Sequence, residues 1–330
     1  MSRRRIVSQS VAVDSIEVSI EDVDLLIGGA TWDARCLVVN DISYRNRVTH
    51  AMLLTFEDRG TSGRVDIHEG LLREGMSRIS DNPLLTLQID TSALVGAWAM
   101  FRRAVLNVYE AVGRPLRVAV DLNSVPRYLA LSLLGFGAKT GVVASFSAIY
   151  SAARAYINES SSLSFTEGSW KPRAIPTLGE GAFPSARSVL VVSGGFEGDH
   201  TLRLVNALEP DRVIVALTTG IRVEHDRMAQ RASVNLAEDY LLAEGGVVTL
   251  PAQDLASSVE KLEASLSRFS EEGEDVALSF LLSGTKIAAL AMGLYAVDHG
   301  VAQVYYAEPE RRLESSAVEI EWHTVVTIAL

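Results

Sequence analysis

Residues 276–306 read VALSFLLSGTKIAALAMGLYAVDHGVAQVYY. A short apolar run ends in Ser283-Gly284-Thr285-Lys286. An apolar stretch of helical length follows, and then a second apolar run through Val304, Tyr305 and Tyr306. Runs of these lengths predict a buried strand, a tight turn, a helix and another buried strand, the repeating unit of a parallel α/β sheet. The Ser-Gly-Thr-Lys turn then falls where a strand ends and a helix begins. Open α/β sheets place their ligands there, and the free N–H groups and dipole of a helix N-terminus favour an anion. Lys286 would add charge and Thr285 a hydroxyl. The plainer alternative is a βα turn with a capping hydroxyl and a solvent-facing lysine.

The same order of elements is written twice. The run from Val23 to Ile27 ends in Gly28-Gly29, ahead of Trp32-Asp33. The run from Ser188 to Val192 ends in Ser193-Gly194-Gly195, ahead of Phe196-Glu197. Trp32-Asp33 falls on Phe196-Glu197 (196 − 32 = 164), and Gly60 falls on Gly220 (220 − 60 = 160). Ser124-Val125-Pro126-Arg127 falls on Ser283-Gly284-Thr285-Lys286 (283 − 124 = 159), and Gly141 falls on Gly300 at the same offset (300 − 141 = 159). Offsets this steady argue for an internal duplication. The expected fold is α/β: two Rossmann-like lobes with mostly parallel sheets, an inter-lobe arm and a C-terminal strand. The boundaries expected are 1–150 for the first lobe, 151–187 for the arm and 188–330 for the second lobe with its tail. Pro126 is expected in the first turn of a helix running towards Gly135. Asp226 to Leu242 is expected to be one helix. The alternating tail Val318-Glu319-Ile320-Glu321-Trp322 reads as a strand able to pair with the arm.

Composition narrows the function classes. The chain has 330 residues, 48% of them hydrophobic, enough for substantial cores. A net charge of −11 argues against coating long nucleic acid or an anionic membrane surface. The single cysteine, Cys36, leaves no intrachain disulfide and fits a reducing, cytoplasmic setting. No apolar run approaches the ~20 residues needed to span a bilayer. The histidines at 50, 68, 200, 225, 299 and 323 show no metal-ligand spacing, so no metal is expected. No GxGxxG follows Gly28-Gly29, so NAD is not expected and no cofactor is implied. Ser193-Gly194-Gly195 also matches the start of the SGGxDS loop of ATP pyrophosphatases, but Glu197-Gly198 stands where that loop needs Asp-Ser.

Two of these motifs carry a likeness to a known family. Residues 186–310 resemble CARF domains, the Rossmann-like sensors associated with CRISPR and anti-phage systems. Gly195-Phe196-Glu197 looks like that family's Gly-Phe turn, and Gly284-Thr285-Lys286 like its Gly-Thr-Lys turn. The first lobe departs from the pattern, with Trp32 for Phe196 and Ser-Val-Pro-Arg for Ser-Gly-Thr-Lys. The resemblance implies a tandem pseudo-dimer that binds a nucleotide or cyclic oligonucleotide. No effector domain is apparent, so the implied role is a stand-alone sensor in a prokaryotic defence or regulatory pathway, acting with a separate effector. A ring nuclease or nucleotide hydrolase using the same pocket, and a structural subunit with a vestigial pocket, stay open beside it. The ligand-binding residues expected are Gly194, Gly195, Phe196, Glu197, Ser283, Gly284, Thr285 and Lys286 in the second lobe. Gly28, Gly29, Trp32, Asp33, Asn123, Ser124 and Arg127 are the expected set in the first. Gly194, Gly195, Phe196, Thr285 and Lys286 are expected to line one pocket, the glycines letting a phosphate or base approach the backbone. Phe196 either stacks on a base or plugs the core.

Overall fold

The computed structural model describes residues 5–12, 19–57, 60, 62–157, 165–181, 186–239, 242–267, 269, 276–314 and 316–330. The chain divides into two compact units, Met1–Ile157 with Glu314–Leu330, and Asn158–Leu313.

The first unit is built on β1 (Ile6–Ala12), β2 (Ser19–Ile20), β3 (Leu25–Gly29), β4 (Ser43–Tyr44), β5 (His50–Phe56), β6 (Leu85–Ile89), β7 (Leu116–Asp121) and β8 (Val143–Ile157). Helices α1 (Arg64–Ile79), α2 (Leu94–Val112) and α3 (Arg127–Thr140), and a 3-10 helix at Ala34–Asn40, connect the strands. The second unit contains β9 (Thr166–Ala174), β10 (Arg187–Gly194), β11 (Arg212–Thr219), β12 (Leu242–Pro251), β13 (Val276–Leu282) and β14 (Gln303–Arg312). Its helices are α4 (Gly198–Leu208), α5 (Val223–Ala232), α6 (Val234–Asp239), α7 (Leu255–Leu266) and α8 (Lys286–His299). The last strand, β15 (Ser316–Ala329), returns to the first unit's sheet.

Both sheets have one plan. The first runs β6-β5-β3-β7-β8-β15-β1, and the second β12-β11-β10-β13-β14-β9. Five strands in each are parallel and a sixth is antiparallel, β15 on β8 and β9 on β14, and the first sheet adds a seventh, β1, antiparallel to β15. The strand order therefore repeats, as the constant offsets predict. Paired glycines repeat as well. Gly60 and Gly220 both take φ near +66 to +83°, and Gly141 and Gly300 both take φ near +70°. A positive φ is strained for a residue with a Cβ, so all four positions favour glycine. Gly141 ends α3 at ψ 11° and Gly300 follows α8 at ψ 145°, so that pair shares its place after the helix and not its turn conformation.

Strands covered on both faces read as continuous apolar runs. β5 (HAMLLTF) is buried from Ala51 to Phe56. Leu26, Leu53 and Ala119 pack beneath Val39, Leu72 and Met76 in the first unit. Leu190, Val192, Val213, Val215 and Leu281 pack with Leu204, Val205 and Leu236 in the second. At the foot of β3, buried Asp24 receives Arg114 at 2.7 and 2.8 Å and the Arg117 backbone N–H at 2.8 Å. α8 is buried from Ile287 to Ala296, as expected of a helix apolar all round.

Four expectations need correction. Residues 151–187 are not one arm. Positions 151–157 finish β8, 166–174 form the edge strand of the second sheet, and 158–164 and 182–185 lie outside the described residues. The tail belongs with the first unit, because β15 pairs with β8 along nearly its whole length and with β1 from Trp322 to Ile328. The helix after Pro126 runs through Gly135 and stops at Gly141, whose N–H bonds the Gly137 carbonyl. The helix expected from Asp226 breaks at Ser233, whose hydroxyl donates to the Ala229 carbonyl, and residues 240–241 lie outside the described residues.

Candidate functional site

In each sheet the chain moves outward to one side from the first strand and then crosses to the other. The reversal lies between β3 and β7 in the first unit, and between β10 and β13 in the second. A ligand crevice forms at such a switch point, outside the carboxyl ends of the strands.

In the second unit the two turns touch directly. Ser283 Oγ donates to the Ser193 carbonyl at 2.7 Å, and the Gly284 N–H donates to Ser193 Oγ at 2.8 Å. A Cβ on Gly284 would stand 2.5 Å from the Gly194 carbonyl oxygen, and one on Gly195 2.9 Å from that of Ser283. A Cβ on Gly194 would meet Leu217 at 2.6 Å. Gly195 and Gly284 are small so that backbone can pack on backbone, and Gly194 so that the Leu217 and Ser233 side chains can approach. Close packing within the protein, where a ligand was expected, accounts for their size. Thr285 is the N-cap of α8, its hydroxyl accepting from the Ala288 N–H at 3.3 Å. That hydroxyl also shares a 2.7 Å hydrogen bond with Thr218 at the end of β11. Lys286 opens the first turn of the helix, half-buried.

Phe196 and Glu197 face the edge strand. The Phe196 ring lies 6.0 Å from Phe165 and 5.6 Å from His225. Glu197 accepts from the Phe165 N–H at 3.1 Å and from Thr166 Oγ1 at 2.6 Å. Thr166 Oγ1 in turn accepts from the Trp170 indole at 2.9 Å, and Trp170 stacks on His200 at 5.1 Å. The glycine turn is therefore clamped to β9.

The first unit repeats the serine tie with different partners. Ser124 Oγ accepts from the Gly29 N–H at 2.8 Å and donates to the carboxylate of Asp121. Gly29 and Ser193 are equivalent at an offset of 164, and Ser124 and Ser283 at 159, so the same two positions are joined in both units. Asp121 also accepts from the Asn123 backbone N–H and side-chain amide at 2.9 and 2.8 Å. Asn123 Oδ1 accepts from the Ser151 N–H at 3.1 Å. Asp33 caps the 3-10 helix and pairs with Arg35 at 2.5 Å. Arg35 reaches the Ser151 carbonyl at 3.1 Å and lies over the Tyr156 ring. Burial alone would lower the Arg35 pKa, but the Asp33 contact raises it. Trp32 packs on the core edge, and Arg127 opens α3. Gly28 and Gly29 sit within β3, not in the turn beyond it, and Gly28 lies under Met76 and Val39.

The structure thus brings Gly194, Gly195, Ser283, Gly284 and Thr285 together, and separately Gly29, Ser124, Asn123 and Asp121. Sequence reasoning missed Ser193, Thr218 and Arg35. The one available signal was that Ser193 precedes the glycine pair at the position where Gly29 precedes Ala30. Two surface concavities in the first unit lie elsewhere, one by Thr55, Arg73 and Gln88 and one by Asn40 and Gly75. Neither is lined by these residues. Burial pushes the Cys36 thiol up to about 12, so it is no nucleophile. Among the described residues no helix is long and apolar enough to cross a membrane, and no group of three or more His, Cys, Asp or Glu is placed to hold a metal ion.

The architecture is that of a two-unit Rossmann-like α/β protein. No protein-family model matches the chain, and no curated protein matches it. Among solved structures it is similar to a universal stress protein from Archaeoglobus fulgidus DSM 4304. That match has 9% identity over 87% of this chain and 97% of the other, with a TM-score of 0.24. A second match is the adenylation, ketoreductase and pseudo-Asub multidomain structure of a keto acid-selecting NRPS module. It has 12% identity over 91% of this chain and 34% of that one, with a TM-score of 0.20. Likeness this loose carries no functional argument.

Proposed function

We propose that the chain is a CARF-like, stand-alone sensor that binds a nucleotide or cyclic oligonucleotide at its switch points. It acts in a prokaryotic defence or regulatory pathway and passes the signal to a separate effector. One observation carries this reading: in each unit a serine ties the turn before the last parallel crossover helix to the end of the first strand. That tie fixes a helix N-terminus, with Lys286 in the first turn of α8 and Arg127 in that of α3, at the place where an α/β sheet offers a ligand. The helix dipole and a nearby cation both favour a phosphate. The nucleotide and its cyclic form rest on the resemblance of Gly195-Phe196-Glu197 and Gly284-Thr285-Lys286 to the family's turns.

The test is incubation with labelled cyclic oligonucleotides of different ring sizes, followed by separation of bound and free label. Intact retained ligand supports the sensor. Ligand released as linear product would make the chain a ring nuclease using the same pocket. No retention and no cleavage with any ring would remove the ligand reading and leave a structural subunit.

A further inference from the structure

β1 is the outermost strand of the first sheet. Among the described residues only β15 pairs with it. Exposed sheet edges are normally blunted by charge, proline or a bulge. The second unit's edge strand β9 follows that rule, with Glu167, Lys171, Pro172 and Arg173. β1 does not. It reads IVSQSVA, carries no charge and no proline, pairs with β15 without a register shift, and leaves Val7 42% exposed.

The strand is also close to a palindrome about Gln9. Ser8 mirrors Ser10, Val7 mirrors Val11, and Ile6 mirrors Ala12. The backbone shares that symmetry. The Arg5 carbonyl accepts from the Ala329 N–H at 3.1 Å, and the Gln9 carbonyl accepts from Thr324 Oγ1 at 3.1 Å. Odd-numbered residues therefore turn their N–H and C=O towards β15. In an antiparallel ladder the even-numbered ones then turn theirs outward. Those are Ile6, Ser8, Ser10 and Ala12, two on each side of Gln9.

We propose that the chain forms a two-fold dimer in which β1 pairs antiparallel with β1 of a second copy, Gln9 facing Gln9. A two-fold interface requires a self-complementary surface, and this strand supplies one. Ser8 stands opposite the partner's Ser10, and Ile6 opposite the partner's Ala12. The four outward residues of each copy give about eight main-chain hydrogen bonds along about 24 Å of edge. A standard protein interface carries about ten. Charge fits as well. With a net −11 per chain, association is least opposed where no charge intrudes.

Sedimentation of the full chain at micromolar concentration, with two variants, tests this. The wild type should sediment as a dimer. Ser8→Pro removes an outward N–H and no bond to β15, so it should raise the dissociation constant by more than about tenfold while the circular dichroism is unchanged. Gln9→Cys should form a covalent dimer on mild oxidation. A facing non-hydrogen-bonded pair brings Cα atoms to about 4.5 Å, within disulfide range, and native Cys36 is buried. Ser8→Cys, about 8 Å from its symmetry mate in this register, should stay reduced. A monomeric wild type, a dimer indifferent to Ser8→Pro, or a dimer in which Gln9→Cys fails to cross-link would each overturn the proposal.

Discussion

Gly284→Ala tests how the second unit's turns are held. An added Cβ would lie 2.5 Å from the Gly194 carbonyl oxygen and 3.1 Å from that of Ser193, both backbone atoms. Ordinary carbon–oxygen contact is about 3.3 Å, so the turns must part by about 0.8 Å. The Gly284 N–H to Ser193 Oγ bond, now 2.8 Å, then exceeds hydrogen-bond range. The Ser283 Oγ to Ser193 carbonyl bond, 2.7 Å, stretches with it. Two bonds at about 1 kcal/mol each, with about 1 kcal/mol of overpacking strain, give a loss of about 2–4 kcal/mol. Gly28→Ala is the control. Its Cβ would meet only Met76 and Val39 at 3.6–3.7 Å, so the change should be neutral or slightly stabilising. Urea denaturation followed by tryptophan fluorescence measures both. A Gly284→Ala protein as stable as wild type would refute the backbone-on-backbone account of these glycines.

Two further outcomes concern charge. Burial alone would raise the Asp24 pKa, but hydrogen bonds from Arg117 and Arg114 outweigh it and hold the carboxyl below its ordinary 3.8. Its contribution is therefore present above 3.8 and lost as pH falls through the lower folded value. Asp24→Asn should cost about 2–3 kcal/mol at neutral pH and flatten the acid limb of a stability–pH curve; an unaltered curve would mean the arginines are held by other groups. Burial also lowers the His323 pKa from 6.5, and its Nδ1 lies 2.8 Å from Ser151 Oγ. The unfolded chain then takes up the proton first, so stability should fall as pH drops below about 6.5 and level off below the folded value. His323→Gln should remove that step from pH-dependent thermal melts.

Much of the fold was legible in the sequence because duplication leaves a trace that single elements do not. Offsets between 159 and 164 paired Ser124 with Ser283 and Gly60 with Gly220, and those residues occupy equivalent turns. The destination of the tail was legible only in part: Val318 to Trp322 pairs with residues 152–155, inside the expected 151–187 segment, but the sheet that holds both is the first unit's. Alternation in Val318-Glu319-Ile320-Glu321-Trp322 marks a strand, but an antiparallel strand can cap any open edge, and nothing local chooses between β8 and β14. The glycines misled for a similar reason. A residue without a Cβ serves close approach of a ligand and close approach of another turn alike, and only the partner's position decides. Glu197 shows the same limit: its carboxylate is spent on the Phe165 and Thr166 donors of a strand about 30 residues earlier.

Affinity for a labelled cyclic oligonucleotide, measured by titration on the wild type, Lys286→Ala and Arg127→Ala, tests the central claim most directly. If the N-terminus of α8 is a phosphate site, Lys286→Ala should weaken binding by ~1–3 kcal/mol, about 5- to 150-fold, with the melting temperature unchanged. A comparable loss at Arg127→Ala would assign ligand contacts to the first unit too, and a loss at Lys286→Ala alone would make that unit scaffold. Unchanged affinity in Lys286→Ala together with a lower melting temperature would contradict the account and make the lysine a structural residue.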